Sequence, residues 1–398
     1  MPANPYRLAE LDLGSRRGDD PPKGCLVTPL LSCFPAGSSR PSRGLWCGMI
    51  ASGSPSHEVP RQGNLILWFM RMHDSATAPL PIAVQDSVLE VIGATPMVRL
   101  SRLTGVLSGS IVAKLEYLNP GGSKKDRVAK RIIEDAEILG RLAPGQSVVE
   151  LTSGNTGAGL AIACAVTGHP FVAVLSKGSS AERARMIAAL GAEVVLVDQA
   201  PGSVPGQVSG ADMRLVEAEA ERITEQRGAF RSDQFANPGN VESHYRGTGQ
   251  EIWAQTGGRL DAFVDFVGTG GCLAGVSRAL KERRPSIKCF AVEPEGAAAL
   301  AGQGATRPNH PIQGGGFGRP DLAHLQGVPL DGYLQVTGEQ ARTAARRLAK
   351  REGIFAGFSA GANVAAALQL LESELKGAIV AVVIPDSGLK YLSTDLWE

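Results

Sequence analysis

The sequence lacks the features that mark several large classes of protein. It has no basic excess, since 40 Lys and Arg face 39 Asp and Glu in 398 residues. This balance argues against a dedicated nucleic-acid-binding protein. It also lacks an apolar run of about 20 residues, the length needed to cross a bilayer. Its six cysteines contain no CxxC pair, which argues against a disulfide framework and against a structural zinc site.

Two common phosphate-binding signatures are also missing. The glycine-rich residues 268–272 do not continue into the GxGxxG pattern, because Leu273 stands at the third glycine position, and the chain has no GxxxxGK[ST] loop. Nor do the six histidines form an HExxH pattern, so no metal site is predicted. Any bound phosphate is therefore expected to belong to something other than a dinucleotide or a nucleoside triphosphate.

The first 85 residues differ from the rest of the chain. They contain 11 of the 25 prolines, and neither helical nor strand periodicity persists in them. We interpret residues 1–85 as a disordered N-terminal extension. Two alternatives stay open: translation that begins later, at Met49, Met70 or Met72, and an organelle-targeting segment. Apart from targeting by this extension, we expect a cytoplasmic protein.

From residue 87 onward, short apolar runs alternate with amphipathic stretches. Strands are predicted at 111–115, 148–151, 171–175, 194–197, 262–267, 288–292 and 379–384. Helices are predicted at 125–139, 156–166, 181–190, 211–226, 273–283, 339–351 and 361–372, with another after Pro238. This alternation predicts an α/β fold with mostly parallel open sheets and helices on both faces.

Residues 268–272 (GTGGC), the phosphate turn, follow an apolar run and open a predicted helix. Glycines let the backbone approach an anion, and the helix start offers free N–H groups and the positive end of its dipole. A phosphate is therefore the expected ligand. A tight strand–helix turn without a ligand is the alternative.

Two adjacent lysines, Lys124 and Lys125, begin a predicted helix. Cations are unfavourable in a first helical turn, which indicates that one lysine has another task. A lysine beside a second cation should have a lowered pKa, and its free amine can form a Schiff base with an aldehyde. A Schiff-base lysine and a phosphate site together are what pyridoxal phosphate (PLP) requires. An ordinary solvated lysine pair is the alternative.

Five ordered segments resemble the cysteine synthase family, which includes cystathionine β-synthase and belongs to the tryptophan-synthase-β-like, fold type II PLP enzymes. They are residues 119–127 (NPGGSKKDR), 152–157 (TSGNTG), 234–240 (QFANPGN), 268–272 (GTGGC) and 385–394 (PDSGLKYLST). The resemblance covers about residues 88–396. It implies a homodimer with a large PLP-binding domain (86–127 and 233–398) and a smaller mobile domain (128–232).

The same resemblance implies roles for individual residues. Lys125 would bind PLP as a Schiff base and later remove the Cα proton of the substrate, while Asn155 would hydrogen-bond the 3′-oxygen of the ring. The substrate carboxylate would be bound by Thr152, Ser153, Asn155, Thr156 and Gln234. The phosphate would be bound by Gly268, Thr269, Gly270, Gly271 and Cys272.

Ser387 would face the pyridine nitrogen. A hydroxyl there leaves the nitrogen largely unprotonated, which favours β-elimination followed by addition of a nucleophile. A carboxylate would favour racemisation or transamination instead. Asp386 is the alternative, because neighbouring residues of an extended segment point to opposite sides and only one can face the ring. The order Pro-Asp-Ser favours Ser387.

Two residues depart from the family pattern. Lys124 stands where the family usually has an apolar residue, and it is the alternative Schiff-base lysine. Cys272 replaces a Thr or Ser and removes one hydroxyl donor from the phosphate turn. We interpret Cys272 as a buried, inert thiol rather than a catalytic or redox-sensing one.

The resemblance implies an enzyme of amino-acid biosynthesis that performs PLP-dependent β-replacement. Its substrates would be an O-activated serine of the O-acetylserine type and sulfide or a thiol, as for a cysteine synthase. Three alternatives remain: a cystathionine β-synthase-like enzyme, a specialised β-replacement enzyme with another nucleophile, and a non-catalytic PLP-binding regulator. The expected partners are these small molecules and a second copy of the chain, with no nucleic acid, membrane or metal.

Overall fold

The computed structural model describes residues 84–152, 154–307 and 310–398. Almost all of the predicted N-terminal extension, and Ser153 of the predicted site, therefore lie outside the described residues. Within the described ranges, no helix is both long enough and apolar enough to cross a membrane.

Within the described residues, ten strands form two sheets. The strands are β1 (Met97–Arg99), β2 (Ser110–Leu115), β3 (Val148–Leu151), β4 (Phe171–Ser176), β5 (Glu193–Val197), β6 (Phe230–Arg231), β7 (Ala262–Phe266), β8 (Lys288–Pro294), β9 (Gly332–Val336) and β10 (Ile379–Ile384). One sheet has the order β1-β2-β10-β7-β8-β9, and the other has the order β5-β4-β3-β6. Every pairing is parallel except that of β1 with β2, so the predicted α/β class is confirmed.

The helices lie between the strands. They are α1 (Ser101–Thr104), α2 (Lys125–Ile138), α3 (Asn155–Thr167), α4 (Ala181–Ala189), α5 (Gly210–Arg227), α6 (Gly239–Ser243), α7 (Gly249–Thr256), α8 (Gly271–Arg283), α9 (Gly338–Arg347) and α10 (Phe358–Glu372). Short 3-10 turns cover Val88–Val91, Glu116–Leu118, Ala323–Leu325, Gly388–Tyr391 and Asp395–Trp397, and π-helical turns cover His244–Thr248 and Leu348–Glu352.

Alternate residues of the central strands pack into different cores. In β10, Val380 and Val382 pack with the apolar face of α10, whereas Ala381 and Val383 pack on the opposite side with α8. Successive side chains of a strand point to opposite faces, so a strand covered on both faces must be apolar throughout. This explains why β10, whose residues are all apolar, reads as a continuous apolar run in the sequence.

The strand ends bring the predicted site segments together. Residues 152–157 follow β3, the phosphate turn follows β7, and residues 385–387 follow β10. In open α/β sheets, ligands bind beyond the carboxyl ends of the strands. The smaller sheet is built from residues inside 128–232 and the larger from residues outside it, while the domain boundaries and the mobility of the smaller domain stay predictions.

Candidate active site

One cavity, here called the inner cavity, is lined by residues of several predicted site segments. It is lined by Lys124, Lys125, Asn155, Asp265, Phe266, Gly268, Thr269, Gly270, Cys272, Gln313, Gly314, Ser359 and Pro385. The space is narrow, about 40 Å³, so binding of a ring-sized group requires the lining side chains to move apart.

Lys125 lines this cavity as the first residue of α2. Its amine has no hydrogen-bond or ion-pair partner among the described residues. Burial and the neighbouring charge of Lys124 lower the pKa of Lys125 to about 8, which confirms the lowered pKa predicted from the sequence. Because this pKa lies closer to neutral pH than that of an ordinary lysine, a larger fraction of the amine is uncharged and able to attack an aldehyde.

Lys124 has a different environment from its neighbour. Its Nζ lies 2.8 Å from each carboxylate oxygen of Asp265, and both side chains are buried. Burial alone lowers the pKa of Lys124, but the Asp265 carboxylate outweighs burial and raises the pKa above its usual value. The Lys124 amine is therefore charged and engaged, which favours Lys125 over Lys124 as the Schiff-base lysine.

The rest of the Lys-Asp-Arg segment anchors the start of α2. The Asp126 carboxylate accepts a hydrogen bond from the Gly121 N–H at 2.5 Å. The Arg127 guanidinium donates to both oxygens of Glu116 at 2.7 and 2.8 Å, and to both oxygens of Glu251 at 2.7 and 2.8 Å. Bidentate guanidinium–carboxylate bonds fix geometry well, so these contacts hold Lys125 at the cavity wall.

Glycine is required in the phosphate turn. Gly270 has a φ of 87° and precedes α8, a conformation that other residues rarely adopt. A Cβ on Gly268 would lie 2.6 Å from the Gly314 carbonyl oxygen, and one on Gly271 would lie 2.2 Å from Asn240 Oδ1. Within the described part of the chain, the N–H groups of Gly268, Thr269 and Gly270 have no acceptor. A phosphate could accept hydrogen bonds from these free N–H groups.

Cys272 lies at the end of this turn and is buried. Burial and the nearby Asp265 carboxylate raise the pKa of its thiol. A protonated, buried thiol is unreactive, which supports the prediction of an inert cysteine.

Residues 152–157, here called the carboxylate loop, make hydrogen bonds among themselves and with Gln234. The Thr152 Oγ1 accepts from the N–H groups of Gly154 and Gly157 at 2.9 and 3.0 Å. The Thr156 hydroxyl donates to Gln234 Oε1 at 2.6 Å. The structure thus brings Gln234 to the carboxylate loop across 78 residues of sequence, while binding of a substrate carboxylate stays a prediction.

The segment after β10 is held by several side chains. Asp386 Oδ2 accepts from Asn155 Nδ2 and from the Tyr391 hydroxyl, both at 2.7 Å. The Ser387 Oγ accepts from the Leu389 N–H at 3.3 Å. Pro385 lines the inner cavity, whereas Ser387 and Asp386 do not. These bonds engage one carboxylate oxygen of Asp386, while its Oδ1 is buried without a hydrogen-bond partner among the described residues. The approach of Ser387, or of Asp386, to the pyridine nitrogen stays a prediction.

Sequence reasoning missed two charged residues of this site. Asp265 pairs with Lys124, and Lys390 Nζ donates to Asn155 Oδ1 and to the Gly121 carbonyl at 2.8 and 2.7 Å. A signal for Asp265 was present, because a lone acid inside the apolar strand β7 requires a buried cation. The unfavourable position of Lys124 pointed to the same pair.

A second and larger cavity, the outer cavity, is lined by Leu151, which directly precedes the carboxylate loop, and by Asp233 and Phe235, the chain neighbours of Gln234. Its volume is about 630 Å³. It is lined by Leu151, Gly210, Met213, Arg214, Glu217, Asp233, Phe235, Ala236, Phe317, Gly318, Arg319, Asp321, Leu322 and Ala323. Cavities of about 300–1,000 Å³ are typical of small-molecule sites.

Comparison with known proteins extends the resemblance over most of the chain. The family model described as pyridoxal-phosphate dependent enzyme matches residues 88–386. A cysteine synthase of Staphylococcus aureus (strain Mu50) is 41% identical over 315 residues, which cover 79% of this chain and 97% of that protein.

Two solved structures are similar in fold. The crystal structure of O-ureido-L-serine synthase matches with a TM-score of 0.70 and 40% identity, over 79% of this chain and 96% of that chain. A cysteine synthase of Entamoeba histolytica matches with a TM-score of 0.72 and 34% identity, over 87% of this chain and 94% of that chain.

Proposed function

Since this chain belongs to the cysteine synthase family of pyridoxal-phosphate-dependent enzymes, we propose that it catalyses β-replacement on an O-activated serine. The proposed donor is of the O-acetylserine type, and the proposed nucleophile is sulfide or a thiol. The observation that carries this proposal is the free amine of Lys125 in a cavity that also contains the unoccupied donors of the phosphate turn.

The residues present fit the chemistry of PLP. The N–H groups of the phosphate turn would hold its phosphate, Lys125 its aldehyde carbon, and Asn155 its 3′-oxygen. PLP supplies an electron sink that weakens the Cα–H bond and the bond to the β leaving group of a bound amino acid.

Lys125 is suited to move the proton of this reaction. With its pKa lowered to about 8, its amine can accept the Cα proton at neutral pH and return it later. A base whose pKa lies near the working pH is the most effective one. The bonds of Asp126 and Arg127 hold the start of α2 in place while Lys125 acts.

The carboxylate loop would orient the donor. The backbone at the start of α3 presents N–H groups and the positive end of the helix dipole, which favour a carboxylate. The bond between Thr156 and Gln234 would align the Gln234 amide with the same carboxylate. A substrate held there would present its Cα to Lys125.

The decisive test identifies the lysine and the reaction together. Borohydride reduction of the PLP-bound protein, followed by peptide mass spectrometry, should place the cofactor on Lys125. In a separate, unreduced sample, incubation with O-acetylserine and sulfide should produce cysteine and change the visible absorption spectrum. The Lys125→Ala variant should lose at least about 10³-fold in turnover, whereas Lys177→Ala, which changes a lysine in an exposed ion pair, should not.

Each other outcome has a definite meaning. Cofactor found on Lys124 would reverse the assignment of the two lysines. A protein that binds PLP but converts no serine derivative would be the non-catalytic regulator. A protein that cannot be loaded with PLP would refute the proposed function.

A second candidate function differs in the nucleophile, and the outer cavity favours it. A hydrosulfide ion contains a single heavy atom, so it would fill only a small part of the outer cavity, which measures about 630 Å³. A cystathionine β-synthase-like or specialised enzyme would use this space for a larger nucleophile. A panel of small thiols, amines and amino-acid thiols at fixed O-acetylserine would identify the preferred one by its kcat/KM.

The family resemblance also supports a homodimer and a cytoplasmic location as parts of this proposal. Light scattering of the purified protein tests the first, and fractionation of cells that express the full chain tests the second. A monomer with full activity would remove the dimer from the proposal.

A further inference from the structure

The function proposed above assigns no role of its own to the buried ion pair of Lys124 and Asp265. Both carboxylate oxygens of Asp265 lie 2.8 Å from Lys124 Nζ, and the side chains are 2% and 10% exposed, respectively. Burying two charges costs free energy that even a well-formed pair often does not recover. Stability alone is therefore a poor explanation for this pair. Its position beside the proposed PLP site indicates a role there.

The pair joins two segments of the proposed PLP site. Lys124 directly precedes Lys125, and Asp265 lies in β7, three residues before the phosphate turn. Asn363 supports the same end of β7, because its Oδ1 accepts from the Phe266 N–H at 2.6 Å. Lys124 and Asp265 also line the inner cavity together with Lys125 and the turn.

This position creates an electrostatic problem that Lys124 solves. A phosphate bound at the turn would be repelled by a bare carboxylate on Asp265, and in a buried site such repulsion is strong. The ammonium of Lys124 neutralises that carboxylate. It also contributes to keeping the neighbouring Lys125 amine uncharged.

We propose that Lys124 is a positioning residue of the PLP site: its ammonium, fixed by Asp265, shields the cofactor phosphate from that carboxylate and keeps a positive charge beside Lys125. The inference rests on the proposed function only in so far as PLP binds at this site. It does not depend on which donor or nucleophile the enzyme uses.

The first experiment measures the dissociation constant of PLP for the full chain and three variants. Lys124→Met leaves a bare Asp265 and should raise the constant about ten- to hundredfold. Asp265→Asn leaves the cation near the phosphate and should stay within about threefold of the wild type. The double variant Lys124→Met/Asp265→Asn removes both charges and should recover most of the loss.

This asymmetry separates the proposal from its alternatives. A pair with a purely structural role predicts that both single variants weaken PLP binding alike. A direct bond from Lys124 to the phosphate predicts that the double variant binds as poorly as Lys124→Met. Either result would overturn the inference. Lys177→Met is the matched control, because Lys177 pairs with Asp198 on the surface at 2.6 Å, and it should leave the constant unchanged.

The second experiment measures the rate at which cofactor-free protein captures PLP as a function of pH. Capture requires the uncharged Lys125 amine, so the rate should rise with pH through a midpoint near 8. Without the charge of Lys124, the pKa of Lys125 rises, and the midpoint should move to higher pH in Lys124→Met. The double variant should show a smaller shift, because it also lacks the Asp265 carboxylate, which raises that pKa.

Other groups that face Lys125 stay the same in all variants. They are Cys272, Glu150, His244 and His324. An unchanged midpoint in Lys124→Met would overturn the electrostatic part of the inference even if that variant bound PLP weakly. Failure of the wild type to bind PLP would instead refute the proposed function, so the two failures are distinguishable.

Discussion

The inner and outer cavities differ in how their charges are held. In the inner cavity, Lys124 and Asp265 are buried and make two bonds of 2.8 Å. In the outer cavity, Arg319 lies 3.6 Å from Asp321, both are more than half exposed, and Arg214 has no ion-pair partner among the described residues. Fixed, buried charges suit one unvarying ligand, whereas loosely held surface charges can adapt to several.

This difference indicates a division of tasks. The inner cavity would hold the cofactor, which all reactions of the family share. The outer cavity would admit the nucleophile, which differs from one reaction to another. Fold similarity alone does not identify the nucleophile. The residues that would select it are the exposed charges of the outer cavity, which are less fixed than the buried charges of the inner cavity.

The largest effect is expected from a change to the inner cavity. In Gly271→Ala, the new Cβ would lie 2.2 Å from Asn240 Oδ1, so the phosphate turn must shift. We expect PLP affinity to fall by at least about tenfold and the free energy of unfolding by about 1–3 kcal/mol. PLP titration and denaturant unfolding measure the two effects.

Gly304→Ala is the control for this change, because a Cβ at Gly304 meets nothing within 4 Å. It should leave PLP affinity and stability nearly unchanged. If Gly271→Ala bound PLP normally, the phosphate turn would be able to shift without loss of binding, and the inner cavity would not be the rigid site described above.

An intermediate effect is expected at Glu150, a buried residue that directly precedes Leu151 of the outer cavity. Its carboxylate accepts from Gln234 Nε2 at 3.2 Å and from the Ser232 hydroxyl. Burial raises the pKa of Glu150 from 4.5 to about 7. A carboxyl group whose pKa is raised by folding stabilises the protein least at high pH, because it must ionise while buried.

Glu150→Gln should therefore stabilise the protein above pH 7, by about 1–3 kcal/mol at pH 8, with the advantage disappearing below about pH 4.5. Urea unfolding at pH 4.5, 6 and 8 measures this trend. An advantage that does not change with pH would show that folding leaves the pKa of Glu150 at its ordinary value.

The smallest effect is expected in the outer cavity. Arg214→Ala and Arg319→Ala should change PLP affinity and the reaction with O-acetylserine by less than about threefold, because exposed charges interact weakly. If a carboxylate-bearing thiol is a nucleophile, its KM should rise while the KM for sulfide stays the same. A large loss of PLP affinity in either variant would show that the two cavities do not act separately.

Most of the fold could be predicted from the sequence because the central strands are buried on both faces. The apolar run at 379–384 matches β10, and the run at 148–151 matches β3. Strands β1, β6 and β9 were not predicted. Strands β1 and β6 have only three and two residues. Strand β9 is a half-exposed edge strand that contains Gly332 and Gln335, so none of the three has a continuous apolar pattern.

The candidate site could be predicted less completely. The glycine-rich turns can be recognised in the sequence because their backbone conformations exclude other residues. The Thr156–Gln234 and Lys124–Asp265 contacts join segments that are distant in sequence. Local sequence patterns do not show which distant segments meet in the folded protein. Helix α10 also begins at Phe358 rather than at the predicted residue 361, since the glycine at 361 was wrongly interpreted as the helix start.

The central position of β10 has a consequence for the order of assembly on the ribosome. This strand pairs with β2 on one side and β7 on the other, although both are synthesised long before it. The smaller sheet is complete once residue 231 has emerged, so it can form during translation. The larger sheet cannot close until β10 has left the exit tunnel, and until then β2 and β7 present open edges that a chaperone could protect.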